Sequence, residues 1–387
     1  MKIISVVGAR PNFMKIAPFI RAIIANNCKR NLEIEYVLVH TGQHYDYKMS
    51  KAFFDALDIP DVDINLGVGS GSHAQQVGQT MIEFEKVLRA EKPDWVVVVG
   101  DVNATLACSL TAKKERVKCC HIEAGLRSGD MTMPEEINRL VTDRLSDLLL
   151  TPDELSSENL RKEGVPEEKI RFVGNIMIDT LEAQRAKAEK LSIERIIKEN
   201  AHSDQAKHTS LTIHDSSLYG AMTMHRPSNV DEPEVLKALM EFVYQEVCRD
   251  MTMVWPIHPR TEENLKRFGL WEKVVGAPAM ILLYPVGYQE MLRLNMDARI
   301  MLTDSGGLQE ECCVLGTPCL TLRWNTERPV TLKKHGGTCV LVGNNVEYIR
   351  EEYRKTLKQE RRPFHPELWD GRTAERCLEA VLKTSSV

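Results

Sequence analysis

Three acidic residues stand where apolar runs give out or a helix begins. Asp101 follows the run 94–99 through Gly100, Glu123 follows the run 117–122, and Glu135 comes directly after Pro134 at the head of an amphipathic stretch. Carboxylates at the carboxyl ends of buried strands are where α/β enzymes keep groups that take and return protons. Each also has a plain structural reading. Asp101 precedes the small-residue run 103–112, and Asp is a favoured helix N-cap. Glu123 with Arg127 can form an ion pair, worth about 0–1 kcal/mol if exposed. Glu135 and Arg139 are spaced to meet on one helix face. Any one of these acids is ordinary; their succession along one sheet edge suggests joint action on a bound molecule.

A second set of residues has the chemistry of anion binding. Leu302-Thr-Asp-Ser-Gly-Gly-Leu-Gln-Glu-Glu311 leads from an apolar run into an apolar-faced helix, with Gly306 and Gly307 at the turn. Paired glycines let a ligand approach the backbone, and the first amides of a helix are unpartnered and partly positive, so a phosphate is the matching ligand. Ser305 is placed as the N-cap, but Leu308 stands where a capping box needs Glu or Gln. Glu311 can accept from ribose hydroxyls; its structural alternative is interaction with the helix dipole, about 0.3–1 kcal/mol. His225 and Arg226 end one predicted strand and His258 ends the next. Arg328 lies in a loop, Arg323-Trp-Asn-Thr-Glu-Arg-Pro329, from which a guanidinium can grip phosphate bidentately. Near the N-terminus, Gly8-Ala-Arg10-Pro-Asn12 follows the first strand, with Pro11 suited to open a helix. Arg10 and Lys15 either face a phosphate or make surface salt bridges. No Gly-x-Gly-x-x-Gly fingerprint follows. Thr41-Gly-Gln43-His44 ends the second strand and can line the same cleft.

Strand-like runs at 3–7, 34–39, 94–99, 117–122, 148–150 and 170–173 alternate with helical patterns. A second series follows at 218–224, 251–255, 281–283, 299–302, 319–322 and 339–342. Such alternation means parallel sheets covered on both faces, with ligands beyond the strands' carboxyl ends. The fold class is therefore α/β, with two Rossmann-like doubly wound domains: 1–176, carrying the acids, and 177–369. The tail 370–387 reads as an amphipathic helix returning to the first domain. A length of 387 residues suits two cores of roughly 150–200 residues each. Net charge −5 with 27% charged residues argues against a nucleic-acid surface. No run approaches the roughly 20 apolar residues of a membrane span, and the N-terminus enters a strand without a signal segment. Ten cysteines without a Cys-x-x-Cys suggest reduced core thiols in a cytoplasmic protein, neither a disulfide framework nor a metal site. His202, His208 and His214 recur every six residues, which puts them on different helix faces and fits a loop better than a metal site.

Taken in order from residue 3 to about 343, these motifs resemble the non-hydrolysing UDP-N-acetylglucosamine 2-epimerases. The matching stretches are Gly8-Ala-Arg-Pro, Thr41-Gly-Gln-His, Gly100-Asp101, His121-Ile-Glu-Ala-Gly-Leu-Arg127, Pro134-Glu-Glu-Ile-Asn-Arg139, Thr303 to Glu311 and Thr326-Glu-Arg-Pro329. The resemblance implies a GT-B-like pair of domains facing a cleft, no cofactor or metal, and a homodimer. It implies reversible conversion of UDP-GlcNAc to UDP-ManNAc by loss of UDP to 2-acetamidoglucal and re-addition. On that resemblance Asp101, Glu123 and Glu135 act as acid/base groups at the sugar. His225, Arg10 and Arg328 would stabilise the departing diphosphate, with Lys15 on the same side. Ser305, Gly306 and Gly307 would bind it through amides, and Glu311 would hold ribose. Gln43, Glu136, Arg226 and His258 match positions used by some members for a second, activating UDP-GlcNAc.

Two departures stand out. The family often has His-Arg-Arg-Glu where this chain has His225-Arg-Pro-Ser228, and the stretch 285–291 offers only Tyr288 as an aromatic to stack on uracil. Rival readings are the same epimerisation on a modified UDP-sugar such as a 2,3-diacetamido uronic acid, a hydrolysing epimerase, a GT-B glycosyltransferase and a nucleotide-sugar sensor.

Overall fold

The computed structural model describes residues 1–30, 33–42, 61–206 and 219–385. The chain divides into two compact units, Met1–Ala183 with Pro366–Val387, and Gln184–His365. The division falls inside the helix Ile176–Ala188, at whose start the sequence suggests a domain boundary.

In the first unit the described strands are β1 (Lys2–Val7), β2 (Glu35–His40), β3 (Ile64–Asn65), β4 (Trp95–Val99), β5 (Lys118–Ile122), β6 (Leu148–Thr151) and β7 (Ile170–Phe172). They form one parallel sheet in the order β3-β2-β1-β4-β5-β6-β7. All five residues of β4 are buried, as expected of a central strand with helices on both faces. The order reverses between β1 and β4, and this switch opens a crevice beyond the strands' carboxyl ends. Val99 pairs with Ile122, so Gly100-Asp101 and Glu123 emerge side by side. The helix Thr373–Ser385 completes this unit. The buried carboxylate of Asp179 accepts the amides of Thr373 and Ala374 at 3.0 and 2.7 Å, satisfying the helix's first donors.

In the second unit β8 (Tyr219–Thr223), β9 (Thr252–Pro256), β10 (Met280–Leu283), β11 (Ile300–Thr303), β12 (Cys319–Thr321) and β13 (Cys339–Leu341) form a parallel sheet ordered β10-β9-β8-β11-β12-β13. This repeats the doubly wound pattern, with its switch between β8 and β11. All ten cysteines are free thiols; eight are buried, Cys248 is half-buried and Cys28 is exposed. His202 is buried here, while His208 and His214 lie outside the described residues. Among the described residues no helix is long and apolar enough to cross a membrane.

Candidate active site

At the first unit's switch point, Asn12 holds the turn after β1. Its Oδ1 accepts the amides of Gly8 and Ala9 at 3.1 and 3.0 Å, and its Nδ2 donates to Val99 O at 2.9 Å. The helix Arg10–Arg30 begins there and carries Lys15 inward, where Nζ pairs with Glu123 Oε2. Both side chains are buried. Gly100, at φ +71°, leaves room for this meeting: a Cβ there would lie 3.3 Å from Asn12 Nδ2 and Lys15 Nζ and 3.4 Å from Glu123 Oε2.

Asp101 is not a helix cap. Val102 is the N-cap of the helix Asn103–Lys114, and Asp101 Oδ2 instead meets Arg139 Nη1 at 2.5 Å. Arg139, 2% exposed, also grips Glu136, with Nη2 2.5 Å from Oε2. Glu136 further accepts the amides of Ser128 and Gly129 at 3.0 and 2.9 Å. Burial alone would raise the Glu136 carboxyl, but the Ser128 amide, Arg139 and the Gly129 amide together hold it below its ordinary range. The local ion pairs suggested by spacing are thus replaced by others. Arg139 pairs with Asp101 and Glu136, and Arg127 with Asp143 and Glu163, while Glu123 takes Lys15. Glu135 is half-buried in the first turn of the helix Pro134–Leu145. Nothing is described of the Arg10 side chain, and Gln43 and His44 lie outside the described residues.

At the second unit's switch point the organising residue is Asp304, to which the sequence alone assigns no role. It is fully buried, and its Oδ2 accepts the amides of His225 and Arg226 at 2.9 and 2.8 Å. Its Oδ1 lies 2.9 Å from His225 Nδ1. Burial opposes this ionised carboxylate, but His225 and the two amides outweigh it and hold the pKa low. His225 stacks obliquely on His258, with ring centroids 5.5 Å apart. His258 caps its own helix, Nδ1 accepting from Arg260 N at 3.2 Å; burial and the neighbouring His225 lower its pKa.

Ser305 sits at the N-cap of the helix Gly306–Leu315 with no side-chain cap bond. A Cβ on Gly306 would lie 2.7 Å from Glu327 Oε1 and 2.8 Å from Arg328 Nη1, whereas a Cβ on Gly307 would meet nothing within 4 Å. Gly306 thus packs against the following loop, and the turn is open on the Gly307 side. Arg328 is buried between two acids, with Nε 2.8 Å from Glu310 Oε1 and Nη1 against Glu327 Oε1. Glu311 is also buried, and burial drives its carboxyl up to about 8. Among the described residues no group of three or more His, Cys, Asp or Glu could hold a metal ion.

Two doubly wound units with polar groups at their switch points define a GT-B-class α/β protein. A lipopolysaccharide outer core galactosyltransferase, 13% identical, shares that fold over 99% of this chain and 100% of its own at a TM-score of 0.53. A family model described as UDP-N-acetylglucosamine 2-epimerase matches residues 26–382. A UDP-N-acetylglucosamine 2-epimerase of Methanocaldococcus jannaschii is 42% identical over 98% of this chain and 99% of its own length. The crystal structure of the M. jannaschii UDP-GlcNAc 2-epimerase in complex with UDP-GlcNAc and UDP aligns over 99% of this chain and 100% of its own, with TM-score 0.86 and 39% identity. A UDP-2,3-diacetamido-2,3-dideoxy-D-glucuronate 2-epimerase of Pseudomonas aeruginosa is 37% identical over 99% of this chain and 100% of its own. The chain belongs to the UDP-N-acetylglucosamine 2-epimerase family.

Proposed function

We propose that the chain interconverts UDP-GlcNAc and UDP-ManNAc, losing UDP from C1 as a proton leaves C2 and adding both back with the proton on the opposite face. The observation that carries this reading is the pairing of Glu123 with Lys15 and of Asp101 with Arg139 on one sheet edge, which fixes each carboxylate beside a cationic side chain. C2 carries an acetamido group and is not beside a carbonyl, so its proton is not acidic. The barrier has to be lowered by oriented carboxylates and by stabilising the leaving diphosphate. Two faces of C2 require two proton-transferring groups, drawn from Asp101, Glu123 and Glu135.

The diphosphate falls to the amides of Ser305, Gly306 and Gly307, with Arg10, Lys15 and Arg328 as cationic support and His225 stabilising it as it leaves, and the ribose to Glu311. A second, activating UDP-GlcNAc at Gln43, Glu136, Arg226 and His258, a homodimer and a cytoplasmic setting complete the reading. The same fold would let a modified UDP-sugar be the natural substrate, so a panel of UDP-sugars belongs in the test.

Incubation with UDP-GlcNAc in heavy water, followed by NMR, decides the matter. Deuterium at C2 of both epimers is expected. UDP-ManNAc without label would discard the elimination route, and free ManNAc would mean that water captures the intermediate. Asp101→Asn and Glu123→Gln are expected to bind UDP normally and to lose about 10²–10⁴ in turnover.

A further inference from the structure

Asp143, 2% exposed on the helix Pro134–Leu145, divides its two oxygens between two backbone segments. Its Oδ1 lies 2.6 Å from His121 Nδ1. Its Oδ2 accepts from Gly125 N at 3.0 Å and lies 2.7 Å from Arg127 Nη1. The other ring nitrogen, His121 Nε2, lies 2.9 Å from the carbonyl oxygen of Gly100. That carbonyl belongs to the peptide bond that leads into Asp101, and Gly125 closes the turn that carries Glu123. One carboxylate and one imidazole therefore tie together the backbone at the roots of two acids on adjacent strands. Because a carbonyl can only accept, Nε2 carries a proton, and a second proton lies between Nδ1 and Oδ1.

The turn at Glu123 needs such a tie. Glu123 has φ +75°, a left-handed conformation that strains a non-glycine residue and persists only when its surroundings enforce it. The amides of Glu123 and Ala124 both donate to Leu150 O at 3.0 Å, and Asn159 Nδ2 donates to Gly125 O at 3.0 Å. Asp143 supplies the remaining hold, on the Gly125 amide.

We propose that Asp143, acting through His121, is a positioning residue that sets the backbone at Asp101 and Glu123 for proton transfer at C2. The proposal rests on the reading of those two acids as the proton-transferring groups. Asp143→Asn is expected to fold, because Arg127 keeps its own partner, Nε and Nη2 reaching Glu163 at 2.7 and 2.8 Å.

The test measures turnover of UDP-GlcNAc by C2 deuteration, KM in the same assay, UDP affinity by calorimetry and thermal unfolding. A misplacement of about 1 Å at the acids costs roughly a hundredfold, so Asp143→Asn should lose about that much turnover while KM and UDP affinity change little. Substitutions at His121 separate the two arms and serve if Asp143→Asn does not fold. In His121→Asn the amide nitrogen stands near Nδ1, keeping Asp143 but losing Gly100; in His121→Gln it stands near Nε2 and keeps Gly100. His121→Asn should lose turnover, and His121→Gln should recover part of it. Wild-type turnover in Asp143→Asn or His121→Asn, or a loss shared equally by KM and UDP affinity, overturns the proposal. If Asp101→Asn and Glu123→Gln themselves turn over normally, the underlying acid/base reading fails instead.

Discussion

Asp304 Oδ1 lies 2.9 Å from His225 Nδ1, and the same carboxylate accepts the amides of His225 and of the next residue. The charge of the carboxylate beside Nδ1 favours a proton on that nitrogen, so the face left to act on a ligand is Nε2. Asp304→Asn keeps the shape but turns a donor toward Nδ1, which reverses the tautomer. Turnover should fall about a hundredfold or more, as when an orienting carboxylate is removed behind a histidine. Weakening the charge-assisted bonds should cost about 1.5–3 kcal/mol in thermal unfolding. Unchanged turnover would show that His225 does not work through this pair.

Lys15 and Glu123 form a buried ion pair, with side chains 9% and 2% exposed. Breaking one side of such a pair typically costs about 3–5 kcal/mol, because the other charge is left buried. Lys15→Met alone should therefore destabilise strongly, and the Lys15→Met/Glu123→Gln pair should be more stable than the sum of the single changes. The coupling expected from a chemical-denaturation cycle is about 0.5–3 kcal/mol. Strict additivity would mean that the two groups do not interact in solution.

The strands were legible because their apolar runs are nearly continuous: the twelve runs predicted correspond to observed strands within one residue at each end. The exception is β3, Ile64–Asn65, too short to show a pattern. The acids were legible as residues but not as pairs. Spacing favours neighbours four apart, yet Lys15 reaches Glu123 across 108 positions and Arg139 reaches Asp101 across 38. Such partners are set by strand order, which brings β1, β4 and β5 together. Asp304 was hidden for the same reason, since its work depends on β8 lying beside β11.

Glu311 gives a pH dependence of definite sign. Burial pushes its carboxyl up to about 8; the nearby Tyr288 side chain pulls it down and the Glu310 charge adds to the rise. In the unfolded chain a glutamate titrates near 4.3, so between about 4.3 and 8 the native state holds a proton the unfolded state has lost. Stability from this group therefore falls as pH rises through that window. Asp304, Asp143 and Glu136 are depressed and act in the opposite sense: their contribution is present above about 4 and lost as pH falls through their native values. His40, lowered to about 4 by burial, adds stability as pH rises towards about 6.5. The clean comparison is therefore between pH 6.5 and 8, approximately, where Glu311→Gln should flatten the decline in melting temperature that wild type shows. Identical slopes in the two proteins would mean that Glu311 does not titrate there.

The two glycines at the head of the helix Gly306–Leu315 should separate stability from binding. A Cβ on Gly306 would lie 2.7 Å from Glu327 Oε1, and both Glu327 and Arg328 are held in a buried ion-pair chain with little freedom to give way. Gly306→Ala should therefore cost about 1–3 kcal/mol as overpacking. At Gly307 the same methyl meets nothing within 4 Å, and the backbone is helical. Gly307→Ala should leave stability unchanged or raise it by about 0.4–1 kcal/mol, because the unfolded chain loses freedom. If the open side of this turn is where the diphosphate lies, that methyl stands in its way, and UDP affinity should drop by about tenfold or more by calorimetry. A Gly307→Ala protein that melts and binds UDP like wild type would place the diphosphate elsewhere, and with it the reason for an uncapped helix at Ser305.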